Sequence, residues 1–287
     1  AYNKMKEQIT PKFTEELYES YLKGEIYFSD LALRVEVSIS KLRGYFKKNN
    51  LKYRQTVLKE TTCHTFFDCI DNEIKAYLLG FLYADGSINK NRYIGISLSK
   101  ADEEIIDLFQ THICPFNKKS YRKSYLHKNG YVTKEMVGIT FKSEHMCRTL
   151  LNYGIKPNKT YLNLDNLNFI PEHLLVHFIR GYWDGDGTSC ITKGKKKHKL
   201  KSGEIKLYDY TNYNWNIISN TNSHLIILQN FLLNYFNIKA NVLKESRGHF
   251  LLEVNRKKDY FLLREKLYEN ANFFLKRKKE KYMAIPC

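Results

Sequence analysis

The chain has 287 residues, 43% of them hydrophobic, and its 47 Lys and Arg residues exceed its 30 Asp and Glu residues for a formal net charge of +17. With 22 Tyr and 17 Phe it has enough apolar surface for a core, which excludes intrinsic disorder. No apolar run approaches the roughly 20 residues of a membrane span. The positive charge predicts a polyanionic partner, with nucleic acid favoured over an anionic membrane or a merely soluble surface.

The six cysteines are scattered and contain no Cys-x-x-Cys pair. The one local group, Cys63, His64 and Cys69, lacks a fourth ligand at suitable spacing, so a zinc site is not expected. Reduced thiols and a polar N-terminus without an export signal predict an intracellular protein, in the cytoplasm or an organelle matrix.

Residues 1–55 are predicted to form a small all-α domain. Ser29 is expected to cap a short helix over 30–35, and Ser38 a second helix over 39–48. Two helices across a tight turn resemble a helix-turn-helix of the resolvase type, whose second helix enters the major groove. A structural cap with a solvated basic face is the alternative. The second helix presents the residues expected to contact DNA: Ser40, Lys41, Arg43 and Lys47.

Residues 56–72 are predicted to be a linker. Three basic residues in and near it, Lys52, Arg54 and Lys59, would suit a segment that follows a phosphate backbone. A solvated face explains them equally well.

From about residue 73 the sequence repeats itself. The segment LLGFLYADG at 78–86 aligns with IRGYWDGDG at 179–187, at a constant offset of 101 residues. After the first copy the pattern predicts two strands, a helix, a hairpin and a last helix, and after the second a long basic segment, a strand, a helix, a hairpin and a last helix. The repeat therefore predicts two αββαββα halves, over 73–168 and 169–287.

Each repeated motif is an apolar helix with two small residues four positions apart. This spacing places both small residues on one face, where a second helix can approach at backbone distance. The residues expected at this interface are Gly80 and Ala84 in the first motif and Gly181 and Gly185 in the second.

Each motif helix ends in Asp-Gly, where an acid faces the negative end of the helix dipole at a typical cost of about 0.3–1 kcal/mol. If the helices pack through their small faces, Asp85 and Asp186 meet as a carboxylate pair that needs a proton or a cation between them. Mg²⁺ suits such oxygen ligands, and bound metal can activate water for phosphodiester hydrolysis. The alternative is that both Asp-Gly pairs are simple turns.

With these motifs the sequence resembles the LAGLIDADG homing endonucleases in their single-chain, two-motif form, over roughly 73–281. The resemblance implies an α+β fold of two pseudo-symmetric halves, whose saddle-shaped antiparallel sheet binds double-stranded DNA, in a monomer with an internal pseudo-twofold. It also implies that Asp85 and Asp186 bind catalytic Mg²⁺, with the carbonyls of Ala84 and Gly185. Mn²⁺ is expected to substitute for Mg²⁺.

In that family, polar or basic residues near the metal ions lie at the ends of the second and fourth strands of each half. The residues implied here are Lys100, Lys142, Asn220 and Asn255. Asn255 departs from the lysine common at its position, so the residue that assists the attacking water is left open.

The segment 193–201 contains six lysines and one histidine. It is expected to be an arm that contacts phosphates, and a solvated loop is the alternative. The residues expected to contact DNA are Lys193, Lys195, Lys196, Lys197 and Lys199. The basic tail at 276–281 is expected to be mainly a solvated helix end with some DNA contact.

Together these features predict a site-specific, Mg²⁺-dependent double-strand DNA homing endonuclease. One alternative is a catalytically inactive DNA-binding regulator with the same scaffold, and another is an RNA maturase that assists intron splicing. The presence of both motif acids favours the nuclease over the regulator, whereas a basic surface is compatible with DNA and RNA alike.

Overall fold

The structure is a computed structural model that describes residues 12–23, 25–54, 62–127, 129–155, 167–201, 203–245 and 248–285. The chain divides into two compact units, residues 1–59 and 60–287, and each has its own hydrophobic core. None of the helices in these ranges has the length and apolar character needed to cross a membrane.

The described helices of the smaller unit are α1 (Glu15–Lys23), α2 (Phe28–Arg34) and α3 (Ile39–Lys48). They pack around fully buried Leu31, Leu42 and Phe46. The Ser38 hydroxyl accepts the Lys41 N–H at 3.3 Å, which confirms the predicted cap of α3.

The predicted cap of α2 by Ser29 is wrong. This helix begins two residues before the predicted start at residue 30, and Ser29 lies within it. The Asp30 carboxylate reaches back to accept the Tyr27 N–H at 3.0 Å, so an acid in the first turn makes the bond expected of the serine.

The larger unit contains two halves with the same order of elements, which confirms the predicted α+β fold class. The first half comprises α4 (Glu73–Asp85), β1 (Gly86–Ile88), β2 (Tyr93–Ser99), α5 (Glu103–Ile113), β3 (Ser120–Arg122), β4 (Met136–Lys142) and α6 (Glu144–Asn152). The second comprises α7 (Leu175–Asp186), β5 (Gly187–Lys199), β6 (Ile205–Ser219), α8 (Ser223–Phe236), β7 (Asn241–Lys244), β8 (Phe250–Val254), α9 (Lys257–Tyr268) and α10 (Lys276–Met283).

Each half forms a four-stranded antiparallel sheet, and the two strand orders, β1-β2-β4-β3 and β5-β6-β8-β7, are equivalent. In the strands that cross the core, alternate residues are buried, as expected for a sheet with one covered and one open face. The covered faces and the helices form one continuous core.

The larger unit begins inside the predicted linker. Phe66, Phe67 and Ile70 are buried in its core, so the 62–72 part of the predicted 56–72 linker is a packed segment. Burial of these three large apolar side chains is worth roughly 1.5–3 kcal/mol each, which accounts for the docking of this segment.

Helices α4 and α7 pack against each other at backbone distance. A Cβ at Gly80 would clash with the Phe178 carbonyl oxygen and lie 2.8 Å from the Tyr182 nitrogen. A Cβ at Gly181 would clash in the same way with the Tyr77 carbonyl oxygen. Glycine is therefore required on both helices at this crossing.

A buried ion pair also joins the two halves near the start of α4. The side chain of Arg180 is fully buried, and its Nη2 donates to Glu73 Oε1 at 2.6 Å. The same guanidinium donates to the Leu267 and Phe273 carbonyls at 2.7 and 2.8 Å. Because the guanidinium is both paired with a carboxylate and hydrogen-bonded to carbonyls, the pair joins the halves without leaving an uncompensated buried charge.

Candidate active site

The two motif acids are the last residues of α4 and α7, and each chain turns directly into the first strand of its half. Glycine follows each acid because the turn is tight. A Cβ at Gly86 would lie 2.6 Å from the Leu82 side chain, and one at Gly187 would clash with the Trp183 ring. The Asp-Gly pairs thus fix both carboxylates at one end of the helix pair.

The small residues bring the first acid to the end of the second motif helix. A Cβ at Gly185 would lie 3.1 Å from Asp85 Oδ2 and would clash with the Ala84 side chain. The Lys278 amine donates to the carbonyls of Gly185 and Gly187, which flank Asp186. Asp85, Asp186 and Lys278 therefore lie at the same end of the helix pair.

Lys278, on α10, is a candidate site residue that the sequence did not single out. Its Nζ donates to the carbonyls of Trp183 and Gly187 at 2.7 Å each, and to that of Gly185 at 3.3 Å. Burial lowers the pKa of Lys278 to about 8, against the opposing effect of nearby carboxylates. An amine with this pKa can exchange a proton near neutral pH, as a catalytic acid or base requires.

The tail that carries Lys278 is not a solvated helix end, so that expectation is wrong for its first turn. The Leu275 N–H donates to Asp184 Oδ2 at 2.8 Å. Arg277 makes a two-pronged ion pair with buried Asp102 of the first half. These contacts could not be predicted, because the five basic residues of 276–281 cannot be told apart from sequence before the helix is docked.

The second motif contains another acid, Asp184, which is buried and faces the helix interface. The Tyr77 hydroxyl and the Leu275 N–H both donate to its Oδ2 at 2.8 Å. Burial raises the pKa of Asp184 to about 6, although both hydrogen bonds oppose this shift. Asp184 therefore joins the tail to both motif helices.

Two of the four predicted strand-end residues lie at the same end of their sheets as the motif acids. β1 follows the first acid directly and runs antiparallel to β2, which continues past Ile96, the partner of Gly86, for three residues on the side of the acid. Lys100 follows the last of them and lies 3.6 Å from the Glu135 carboxylate. Asn220 is equivalent in the second half, and its Oδ1 lies 2.6 Å from His249 Nδ1.

The other two residues, Lys142 and Asn255, lie towards the opposite ends of the sheets. β4 runs antiparallel to β2, and its last residue, Lys142, pairs with Tyr93 at the start of β2. Lys142 is three rows beyond the Gly86 row, or roughly 10 Å along the strands. Asn255 follows β8 in the same way, and its amide donates to Glu253 at 3.4 Å. Lys142 and Asn255 therefore lie on the other side of the Gly86 and Gly187 rows from Lys100 and Asn220.

The donors at the ends of α4 and α7 fit a hard divalent ion. Mg²⁺ prefers oxygen ligands, keeps several waters and commonly uses one or two carboxylates together with a substrate phosphate. Asp85 and Asp186 provide two carboxylates, and Ala84 and Gly185 provide the adjacent carbonyls. The described part of the chain contains no group of three or more His, Cys, Asp or Glu side chains that could hold a metal ion. Water and phosphate would have to complete the coordination.

The predicted lysine arm is a strand, not a loop. β5 pairs with β6 over thirteen consecutive rows, from Gly187 opposite Ile217 to Lys199 opposite Ile205. Backbone pairing holds this hairpin together where it extends beyond the core, and an apolar pattern is not needed there. The predicted DNA-contacting side chains are all exposed: Ser40, Lys41, Arg43, Lys47, Lys193, Lys195, Lys196, Lys197 and Lys199.

Strand alternation divides the lysines of β5 between two faces. Lys193, Lys195, Lys197 and Lys199 share the face of buried Gly187 and Ser189, whereas Lys196 and His198 share the open face with exposed Thr188. On β6 the open face continues with Lys206, Tyr208 and Tyr210, all exposed. The face of the sheet that is free of helices is thus polar, basic and aromatic along the whole hairpin.

Comparison with proteins of known structure places this architecture in the LAGLIDADG fold. A mutant of the LAGLIDADG homing endonuclease I-SmaMI is 12% identical, with a TM-score of 0.51 over 74% of this chain and 90% of that chain. The homing endonuclease I-WcaI bound to its DNA recognition sequence is 15% identical, with a TM-score of 0.50 over 78% of this chain and 95% of that chain. At this identity the similarity establishes the fold alone.

Two further proteins have a lower TM-score or match over a smaller part of the chain. Full-length DUF199/WhiA from Thermatoga maritima is 20% identical, with a TM-score of 0.42 over 74% of this chain and 60% of that chain. An uncharacterized protein of Methanocaldococcus jannaschii is 26% identical over 192 residues, which are 64% of this chain and 63% of that protein. The chain thus spans less than two thirds of either protein. No family model matches it.

Proposed function

We propose that this protein is a site-specific DNA endonuclease that hydrolyses phosphodiesters with divalent ions held between the ends of α4 and α7. The observation that carries the proposal is the convergence of Asp85, Asp186 and Lys278 at one end of a glycine-tight helix pair. Two carboxylates and a partly buried lysine amine at one end of a helix pair are the kind of group that can bind a cation and act on a phosphate.

The roles of the residues follow from their chemistry. When bound, a divalent ion supplies Lewis acidity that activates water and stabilises the departing oxygen. Asp85 and Asp186 would hold the ion, and the close contact between the Ala84 methyl group and Gly185 keeps the ends of the two motif helices together. The Lys278 ammonium donates to the three carbonyls at the end of α7, and from there its positive charge would stabilise the charge of a bound phosphate.

Double-stranded DNA is the proposed substrate. The formal charge of +17 supports phosphate contacts, and the open face of the β5–β6 hairpin offers lysines and tyrosines to a groove that admits a two-stranded ribbon. The exposed basic face of α3, in the smaller unit, is a second proposed DNA-contacting surface. Replacing Lys41 and Arg43 by Ala is expected to shorten the nuclease-protected footprint at one end, with the rest unchanged.

The proposal is tested by selecting cleaved and bound molecules from a randomised duplex library. The wild type is expected to yield cleaved products of one sequence class with Mg²⁺ or Mn²⁺, and to bind the same class in EDTA. The double variant Asp85→Asn/Asp186→Asn is the control and should bind without cleaving. Selective binding without cleavage by the wild type would support the DNA-binding regulator, and preference for structured RNA would support the maturase.

A further inference from the structure

The C-terminal helix α10 belongs to the second half by sequence, yet its first turn binds the first half. Arg277 Nε donates to Asp102 Oδ1 at 2.5 Å, and its Nη2 donates to Oδ2 at 2.7 Å. The Asp102 side chain is only 8% exposed. A two-pronged bond between a planar guanidinium and a buried carboxylate fixes direction as well as distance.

A second contact beside this pair anchors the same turn. The Lys276 N–H donates to Glu104 Oε1 at 2.8 Å, and its Nζ lies 3.4 Å from Glu104 Oε2. Asp102 and Glu104 lie at the start of α5, where the helix dipole favours negative charge. The two acids are therefore stable at the start of α5, where they bind the tail.

The pair holds the turn of α10 from which the next side chain leaves the helix. Successive residues of an α-helix are rotated by about 100° around its axis, so Arg277 and Lys278 leave the helix in different directions. With Arg277 held on α5 of the first half, Lys278 is directed to the last carbonyls of α7 in the second half. A lysine has a flexible four-carbon stem, and its ammonium needs such a fixed base to remain at one site.

We infer that Asp102 and Arg277 are positioning residues for the proposed hydrolysis, and that they place the Lys278 amine of the second half through a contact with the first half. The inference rests on the proposed function for the reaction that Lys278 serves. Neither residue of the pair reaches the reacting atoms in this assignment. Their effect is on the location of Lys278, and this location can be measured without any cleavage.

The variants separate charge, geometry and identity. Arg277→Lys retains the charge and loses the planar fork, whereas Arg277→Gln and Asp102→Asn remove the charged contact. The exchange Asp102→Arg with Arg277→Asp restores an ion pair with the opposite polarity. Lys266→Gln is the matched control, because it breaks an ion pair with Glu269 in the same half that lies away from the motif acids.

The first measurement is the reactivity of Lys278 towards an amine-acylating reagent, quantified by mass spectrometry in the full chain without DNA. Exposed Lys281, on the same helix, is the internal reference. Arg277→Gln and Asp102→Asn are expected to raise Lys278 labelling severalfold relative to Lys281. The charge exchange should reverse part of this rise, and Lys266→Gln should leave labelling at the wild-type level.

The second measurement is cleavage of the selected duplex. Displacement of a catalytic group by about 1 Å can cost roughly 10²-fold, so kcat is expected to fall by about that factor in Arg277→Gln while KM changes little. The milder Arg277→Lys keeps the test valid if the other variants fold poorly. Unchanged Lys278 labelling in Arg277→Lys, Arg277→Gln and Asp102→Asn would overturn the inference. If the wild type does not cleave, the proposed function fails, and the labelling alone decides whether the pair positions Lys278.

Discussion

The two halves of the larger unit share one topology and differ most in their first hairpins. β1 and β2 pair over three rows, whereas β5 and β6 pair over thirteen, a difference of roughly 30 Å of strand length. Six lysines between residues 193 and 201 lie in or beside this extension, and the first-half counterpart over 86–99 contains a single lysine. The pseudo-symmetry of the core therefore does not extend to the charged surface.

The motif ends show a similar difference in their surroundings. Each half contributes one acid to the candidate site, but among the described residues the amine contacting a motif-helix end at that site is Lys278, at the end of α7. The tail that carries it contacts the first half through Asp102. The two halves are therefore equivalent in the proposed metal ligands and unequal in the charged residues around those ligands. Both statements can be tested by substitution.

The largest effect is expected from the motif acids, where the halves should be equal. Asp85→Asn and Asp186→Asn should each lower the cleavage rate by about three orders of magnitude or more. Losing a metal ligand removes several kcal/mol of transition-state stabilisation, and each 1.36 kcal/mol corresponds to a tenfold change in rate. Duplex binding in EDTA should change little. Asp71→Asn, a surface acid paired with Lys75, is the control for cleavage. Wild-type cleavage by either site variant would show that the halves do not share one site.

Packing at the motif ends should also depend on both halves together. Gly185→Ala should lower the free energy of unfolding by about 2–3 kcal/mol, because its new methyl group overlaps Ala84. Adding Ala84→Gly removes the overlap and should recover most of this loss. About 1 kcal/mol should remain lost, because glycine is unfavourable within a helix. Gly80→Ala clashes with backbone and should not be rescued by any single side-chain change. Chemical denaturation measures all three, and an additive double variant would argue against the contact.

Acid sensitivity should distinguish the halves, because the second residue of α8 is His224 where α5 has Glu104. Burial lowers the pKa of His224 to about 4, and the Tyr182 hydroxyl lies 3.0 Å from its Nε2. The unfolded chain binds a proton from about pH 6.5 downward and the folded chain does not, so stability is full above that pH and falls towards pH 4. The loss is at most about 3 kcal/mol, at 1.36 kcal/mol per pH unit.

The measurement is the free energy of unfolding between pH 7 and pH 4 for the wild type and His224→Gln. The variant should show a shallower decline, while exposed His198→Gln should follow the wild type. Parallel profiles for His224→Gln and the wild type would show that this histidine does not cause the acid sensitivity.

The smallest effect is expected from the faces of the long hairpin. Lys196→Ala with Lys206→Ala, on the open face, should reduce the log–log salt slope of duplex binding by about 1.8, at roughly 0.9 per phosphate contact. Lys195→Ala with Lys197→Ala, on the opposite face, is the matched pair and should reduce it less. Titrations over a salt series with specific and scrambled duplexes measure both pairs. Equal slopes would show that both faces of the hairpin contact the phosphates.

The sequence by itself determined the two-half architecture and the pairing of the motif helices. This was possible because the signal is local: small residues four positions apart and a terminal Asp-Gly recur at a fixed offset. Strand and helix patterns in the core are also local, since alternating burial follows directly from the geometry of each element. Asp85 and Asp186 could therefore be named as candidate site residues before any tertiary contact was known.

Only the tertiary structure decided which basic residue joins the acids. Lys278 and its neighbour Arg277 lie near the end of the sequence, and Arg277 is 175 positions from Asp102 of the first half. The basic composition of the tail favours exposure to solvent. Its position is instead set by buried carboxylates and backbone carbonyls, which come together when both halves fold. The basic strand β5 was not predicted for a related reason. It has no apolar pattern of its own, and its pairing with the long strand β6 holds it in place.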